Sequence, residues 1–227
     1  MKRTSLLAFT SSVLGLVLHL TVTSAQAAPA RAEWEKIPST DFTLPDPPSA
    51  QESKREVDVL LKLQNERTQE ECTLGEQQAN PSFKSLFGDS PLLTPHEYDT
   101  LQSLMKRVSQ LGDRISGYFK EKYHRTRPYD FDARVQPCVT PPGGQKSYPS
   151  SHAMISTLDS CVLAAVFPPY AGDFDTLGRQ LSERRMKIGV HFPSDVQAGE
   201  NLAVAVCQRL LQEPDFTKEL NDAKAAL

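Results

Sequence analysis

Apolar positions recur along most of this chain at the three- and four-residue spacing of helices packed on one side. From about Ser53, the residues Val57, Leu60, Leu61 and Gln64 follow that spacing. The strongest pattern runs from His96 to about Lys122, with a stripe of Tyr98, Leu101, Leu104, Met105, Val108, Leu111, Ile115, Tyr118 and Phe119. Thr94 and Glu97 are placed for a capping box at its start, with Pro95 as the first helical residue. Residues 128–148, with four prolines and two glycines, read as irregular. Further helices are expected from Ser150 or Ser151 to about Val166, from Asp173 to about Val190, and from Ser194 to Leu211. A last one runs from Phe216 to the C-terminus, with Asp215 as its cap. No convincing period-2 strand is present. The expected fold is all-α, a single-domain bundle of about six or seven helices over residues 51–227.

Two N-terminal stretches depart from this pattern. Residues 28–50 carry Pro29, Pro38, Pro45, Pro47 and Pro48, and should form an extended proline-rich arm, loose or packed on the domain or a partner subunit. Residues 1–27 read as a signal peptide: Lys2 and Arg3 form a basic start, an uncharged run follows, and Ala25-Gln26-Ala27 offers a small-residue cleavage site. The run is long enough for an uncleaved anchor, but the polar stretch Thr21 to Gln26 and the Ala-x-Ala favour cleavage. No later segment is apolar enough to span a bilayer. The expected location is periplasmic or secreted, without stable membrane insertion after cleavage.

Losing Lys2 and Arg3 with the leader moves the net charge from −3 to −5. A mildly acidic chain argues against nucleic acid as a partner, while leaving room for local cationic pockets. The four cysteines, Cys72, Cys138, Cys161 and Cys207, allow three pairings in an oxidising compartment. Cys161 and Cys207 fall on apolar helix faces, where buried free thiols are the plainer reading. No Cys or His spacing suggests zinc, so neither a metal nor any other cofactor is expected.

Three short blocks carry the chemistry. Lys120 and Arg127-Pro128 come first. A lysine near a helix end is in isolation a dipole partner, but the planar fork of an arginine held before a proline binds two phosphate oxygens at once. The second block is Pro149-Ser150-Ser151-His152. Unpaired backbone N–H groups at a helix start favour an anion, Ser150 adds a hydroxyl, and His152 in the first turn faces the same place. The third block holds Arg185, His191 and Asp195. A carboxylate four residues beyond a histidine can accept from one imidazole nitrogen, fixing the tautomer and raising the basicity of the other. Together these are the parts for moving a phosphoryl group through a histidine.

The blocks match K-x6-R-P, P-S-G-H and S-R-x5-H-x3-D, and so resemble the phosphatidic-acid phosphatase type 2 superfamily. Within it the chain is most similar to the bacterial class A non-specific acid phosphatases. Phe87-Gly88, Ser147-Tyr148 and the tail from Pro214 through Ala225 extend the likeness. Two positions depart from the pattern: Ser151 replaces the usual glycine and Arg184 the usual serine. The resemblance implies a metal-independent phosphatase acting on small phosphate esters. His191 would be the nucleophile, His152 the protonated general acid and then base, and Asp195 the orienting carboxylate. Lys120, Arg127 and Arg185, with Ser150 and the N–H groups near Ser151, would bind phosphate. It also brings a homodimer into consideration, although nothing in the pattern itself does so.

Three neighbouring readings share the parts: a vanadium-dependent haloperoxidase, a lipid or diphosphate phosphatase, and a lapsed site that binds phosphate without turnover. Retention of both histidines and Asp195 weighs against the last, since binding needs only the cations. A Ser-His-Asp hydrolase is poorer still, because no Gly-x-Ser-x-Gly elbow occurs and the cations would be unexplained.

Overall fold

The structure, a computed structural model, describes residues 31–227. Residues 1–27, read as a signal peptide, and the start of the arm with Pro29 lie outside the described residues. Among those described, the chain is all-α, with seven helices of nine residues or more: α1 (Ala50–Glu66), α2 (Gln69–Gln77), α4 (Pro95–Tyr123), α6 (Ser151–Val166), α7 (Ala171–Lys187), α8 (Pro193–Leu210) and α9 (Pro214–Ala225). Two short helices, α3 (Phe83–Phe87) and α5 (Pro128–Phe131), complete the order.

The sequence sets most of these boundaries. At the start of α4, Glu97 N–H donates to Thr94 Oγ1 at 3.3 Å, and Glu97 Oε2 accepts from Thr94 N–H at 2.7 Å. The helix ends where His124 adopts a left-handed conformation, φ 46°, which turns the following segment back toward the bundle. α7 stops at Lys187 rather than near Val190, because Gly189 takes φ 82° and the chain reverses into α8. Three further expectations differ. Residues 128–148 contain the single turn α5, with Pro128 as its first residue. Asp215 lies inside α9 rather than capping it, and its Oδ2 accepts from Trp34 N–H at 3.2 Å. Cys161 and Cys207 are not free thiols: they are joined to each other, as are Cys72 and Cys138.

α6 is the central element. Met154, Ile155, Leu158, Val162 and Leu163 on it are all fully buried, and α4, α7 and α8 pack around it. Each buried apolar side chain of this size contributes about 1.5–3 kcal/mol. Two glycines let backbones approach it. A Cβ on Gly178 of α7 would stand 2.5 Å from Ser160 Oγ, and one on Gly199 of α8 2.5 Å from the Ser150 carbonyl oxygen. The second contact brings the start of α6 against the start of α8.

The arm packs on the domain through two 3-10 turns, Glu33–Lys36 and Ser39–Asp41. Trp34 is fully buried against Phe216 of α9, with ring centroids 5.2 Å apart.

Candidate active site

The α4 end, the Ser147–Ser150 segment, the α6 start, and the turn between α7 and α8 converge at one place. Each is a helix terminus or a break, so functional side chains and unpaired backbone groups point together. Arg127 leaves the extended segment after His124, and its Nη1 donates to His191 Nε2 at 3.0 Å. A guanidinium only donates, so Nε2 presents its lone pair and the ring proton sits on Nδ1. That nitrogen lies 3.5 Å from Asp195 Oδ2 and has no hydrogen-bond partner. The expected hydrogen bond from the imidazole to Asp195 is thus a close approach in this structure.

Asp195 is engaged elsewhere. Its Oδ2 accepts from Ser147 Oγ at 2.6 Å and Phe192 N–H at 2.8 Å, and its Oδ1 from Arg125 Nη1 at 2.6 Å. Arg125 is a residue the motif reading missed. It is buried, donates also to Ser194 Oγ (2.6 Å), Ser53 Oγ (2.9 Å) and Glu56 Oε2 (2.8 Å), and lies 4.2 Å from the Phe192 ring centre. One signal could have found it. Residues two apart in an extended segment point the same way, so Arg125 and Arg127 flanking Thr126 both turn inward.

Ser150 caps α6, its Oγ accepting from Ala153 N–H at 3.4 Å, while its own N–H donates to the Asp195 carbonyl at 2.9 Å. Its backbone donor is spent on α8, and its hydroxyl proton remains available. Ser151 has helical backbone, so a glycine is not required there, and its Oγ pairs with Ser116 Oγ of α4 at 2.8 Å. The extra side chain is thereby accommodated on α4. Lys120 Nζ donates to the carbonyls of Pro149 (2.6 Å) and Lys146 (2.7 Å). His152 Nε2 is hydrogen-bonded to the Gln78 carbonyl at 2.6 Å, which makes it the protonated nitrogen. Gln78, at the end of α2, is a second residue that no motif signalled.

The electrostatics are lopsided. Burial, then Arg127, pushes the Lys120 ammonium down to about 7. Burial, then Arg127 and Arg184, brings Arg185 down to about 9, so it remains charged at neutral pH. The Nε–H groups of Arg127 and Arg185 are buried and without partners. Since Arg125 already matches Asp195, the cations face a site with unmatched positive charge. Both histidines are held well below the usual imidazole range, by burial first, and then by Arg185 for His152 and Arg127 for His191. The ligand-free site therefore holds two neutral imidazoles, unlike the protonated His152 expected from the motif. Among the described residues, no group of three or more His, Cys, Asp or Glu side chains is arranged to hold a metal.

Comparison with known proteins finds similarity over this part of the chain. The model of the PAP2 superfamily matches residues 108–215. A non-specific acid phosphatase of Providencia stuartii is 30% identical over 147 residues, covering 63% of this chain and 58% of its own length. A non-specific acid phosphatase of Salmonella typhi is 30% identical over 149 residues, 61% of this chain and 55% of its own. An acid phosphatase of Zymomonas mobilis subsp. mobilis (strain ATCC 31821 / ZM4 / CP4) is 32% identical over 133 residues, 56% and 49% respectively. The chain spans about half the length of these curated relatives.

Proposed function

We propose that the chain, matched by the PAP2 superfamily model over residues 108–215, is an acid phosphatase of that superfamily that hydrolyses small phosphate monoesters through a phosphohistidine, without a metal and with broad specificity. One observation carries this reading: the unpartnered Nε–H groups of Arg127 and Arg185 stand with Lys120 beside a neutral His191 whose Nε2 lone pair is free of a proton. Like charges gathered in a buried place, with the nearby carboxylate already neutralised, are the design of an anion seat.

The steps follow from the groups present. Phosphate oxygens compete for the Arg127 donors now on His191 Nε2, and so uncover the nucleophile. His191 Nε2 attacks phosphorus, the bond from phosphorus to the ester oxygen breaks, and His152, its Nε2–H kept on the Gln78 carbonyl, delivers the proton carried on Nδ1 to the leaving alcohol. Asp195 stabilises the positive ring of the phosphohistidine across the 3.5 Å gap. Water then attacks phosphorus while giving a proton to His152, the phosphorus–nitrogen bond breaks with its electron pair returning to His191 Nε2, and phosphate departs.

Because His152 is neutral in the free protein, its extra proton must come with the substrate. A phosphate monoester loses its second proton near pH ~6. The monoanion below that pH brings the proton, and bound negative charge raises the affinity of His152 for it. An acidic optimum follows, with activity falling as pH rises through the second ionisation of the ester.

Turnover of p-nitrophenyl phosphate tests the reading. His191→Ala should abolish it, EDTA should leave it intact, and vanadate should inhibit; full activity in His191→Ala would refute the nucleophile assignment. We further propose export to an oxidising compartment, supported by the leader-like residues 1–27 and by the disulfides Cys72–Cys138 and Cys161–Cys207.

A further inference from the structure

Two main-chain carbonyls at the end of α2 meet side chains of the site. The Gln78 carbonyl, just past the helix, accepts from His152 Nε2 at 2.6 Å, and the Gly75 carbonyl accepts from Arg185 Nη1 at 3.4 Å. The Ala79 N–H, which would carry the helix ladder on to Gly75, goes instead to the Glu76 carbonyl at 3.0 Å. The last carbonyls of a helix lack partners within it and form the negative end of its dipole. Here that end meets a guanidinium and an imidazole where cations crowd together. Three ties hold it there. Cys72 of α2 is joined to Cys138, and Thr140 N–H donates to Glu76 Oε2 at 2.7 Å. Gly75 lies so close to the residue after α7 that a Cβ on it would stand 2.9 Å from Ile188 Cδ1.

We propose that the C-terminal turn of α2 is a positioning element for the acid step, with Gln78 its positioning residue: the carbonyl keeps the ring of His152 oriented and supplies the negative end that the protonated ring needs. The inference rests on the phosphatase reading, because it assigns a part in the proton step of that reaction. A neutral imidazole carries one proton, and a carbonyl only accepts, so that proton stays on Nε2. Nδ1 is then the nitrogen that takes up the proton arriving with the ester and gives it to the leaving alcohol. Burial, and after it Arg185, push His152 away from its protonated form, whereas the Gln78 carbonyl works the other way. A carboxylate in the same place would steady the imidazolium more strongly, but its full negative charge would repel the phosphate. The partial charge of a helix end favours the protonated ring at a smaller cost to the anion. The Gly75 carbonyl serves Arg185 in the same manner, and leaves its Nε–H without a partner.

Replacing the peptide bond between Gln78 and Ala79 by an ester, through lactic acid incorporated in place of Ala79, weakens this carbonyl as an acceptor and keeps every side chain. The NMR shifts of the imidazole nitrogens in the ligand-free protein should report His152 with its proton on Nε2 in the wild type, and both tautomers in the backbone-ester protein. The kcat for methyl phosphate, whose alcohol needs the acid, should fall about tenfold, while that for p-nitrophenyl phosphate changes less than about twofold. The alkaline limb of methyl phosphate turnover should move to lower pH. Gly75→Val, which pushes α2 off Ile188, should show the same split between substrates, and Ile188→Ala added to it should return most of the loss. A wild-type His152 protonated on Nδ1, or equal losses on both substrates, overturns the role of α2 while the phosphatase reading stands. Failure of the wild type to turn over p-nitrophenyl phosphate overturns both.

Discussion

At Lys120 the ionisation falls within the pH range where the protein would work, because burial and Arg127 bring it down to about 7. The ammonium is present below that pH and lost as pH rises through it, so anion affinity of the free site should weaken across the same window. Inorganic phosphate as an inhibitor reads this, and comparison with Lys120→Arg separates the side chain from the titration of phosphate itself. The wild-type inhibition constant should rise relative to the Arg variant above pH ~7; parallel curves would rule the idea out. Arg125 raises a different expectation. Breaking a buried ion pair by removing one partner costs about 3–5 kcal/mol, so Arg125→Met should lower the melting temperature and kcat together, and Arg125→Lys should recover part of each. An unchanged kcat and pH profile in Arg125→Met would separate Arg125 from the reaction. Lys120, Arg127, Arg185 and both histidines could be named together because they sit at the motif spacing, and folding gathers them in one place. Arg125 and Gln78 could not, since their partners are Asp195, Glu56 and the ring of His152, which only folding brings near.

Between elements, the tightest constraint is at Gly199 of α8. A Cβ there would meet the Ser150 carbonyl oxygen at 2.5 Å, Ala153 Cβ at 3.0 Å and Met154 N at 3.1 Å. None of these is the end of a flexible side chain, so the start of α6 must move, carrying Ser150 and His152 with it. Gly199→Ala should destabilise by about 1–3 kcal/mol. Misplacement of the acid by as little as ~1 Å should lower kcat by up to ~100-fold, checked by melting curves alongside turnover; wild-type kcat would show that α6 tolerates the shift. Helix α4 could be read from sequence almost to the residue, because its cap, Pro95 and apolar stripe are local signals. Neither α2 nor α3 was, being short, although Thr68 and Glu71 form a capping box at the start of α2. The pairing of Cys72 with Cys138, and of Cys161 with Cys207, was also beyond the sequence. Three pairings satisfy the count, and tertiary placement at Cα separations of 5.6 and 6.4 Å decides among them.

Over the whole molecule, a chain of net charge −3 still buries Arg125, Arg127 and Arg185 in one place, and its N-terminal arm packs on the same bundle. The described part of the arm is held at Trp34 and again at Leu44 and Pro45. Trp34 Nε1 donates to Glu219 at 3.2 Å, and the Arg107 guanidinium lies 5.1 Å from its ring centre. Further along, the Leu44 and Pro45 carbonyls accept from Tyr123 (2.7 Å) and Tyr148 (3.0 Å). Tyr148 adjoins Ser147, whose hydroxyl holds Asp195, so the arm reaches the site through one neighbour. Prolines in residues 28–50 rule out a long helix there but leave packing undecided. Trp34, the single tryptophan of the chain, settles it by burying a large aromatic surface. This makes its emission a reporter of arm docking. If arm and bundle form one cooperative unit, the denaturant midpoint read from tryptophan emission should coincide with that from far-UV ellipticity. Trp34→Ala should lower stability by about 3–5 kcal/mol, read from ellipticity alone. An emission change that precedes the loss of helix would mean the arm undocks by itself. The Tyr148 contact would then be dispensable to the bundle, and phosphate turnover should survive at denaturant concentrations where Trp34 is already in water.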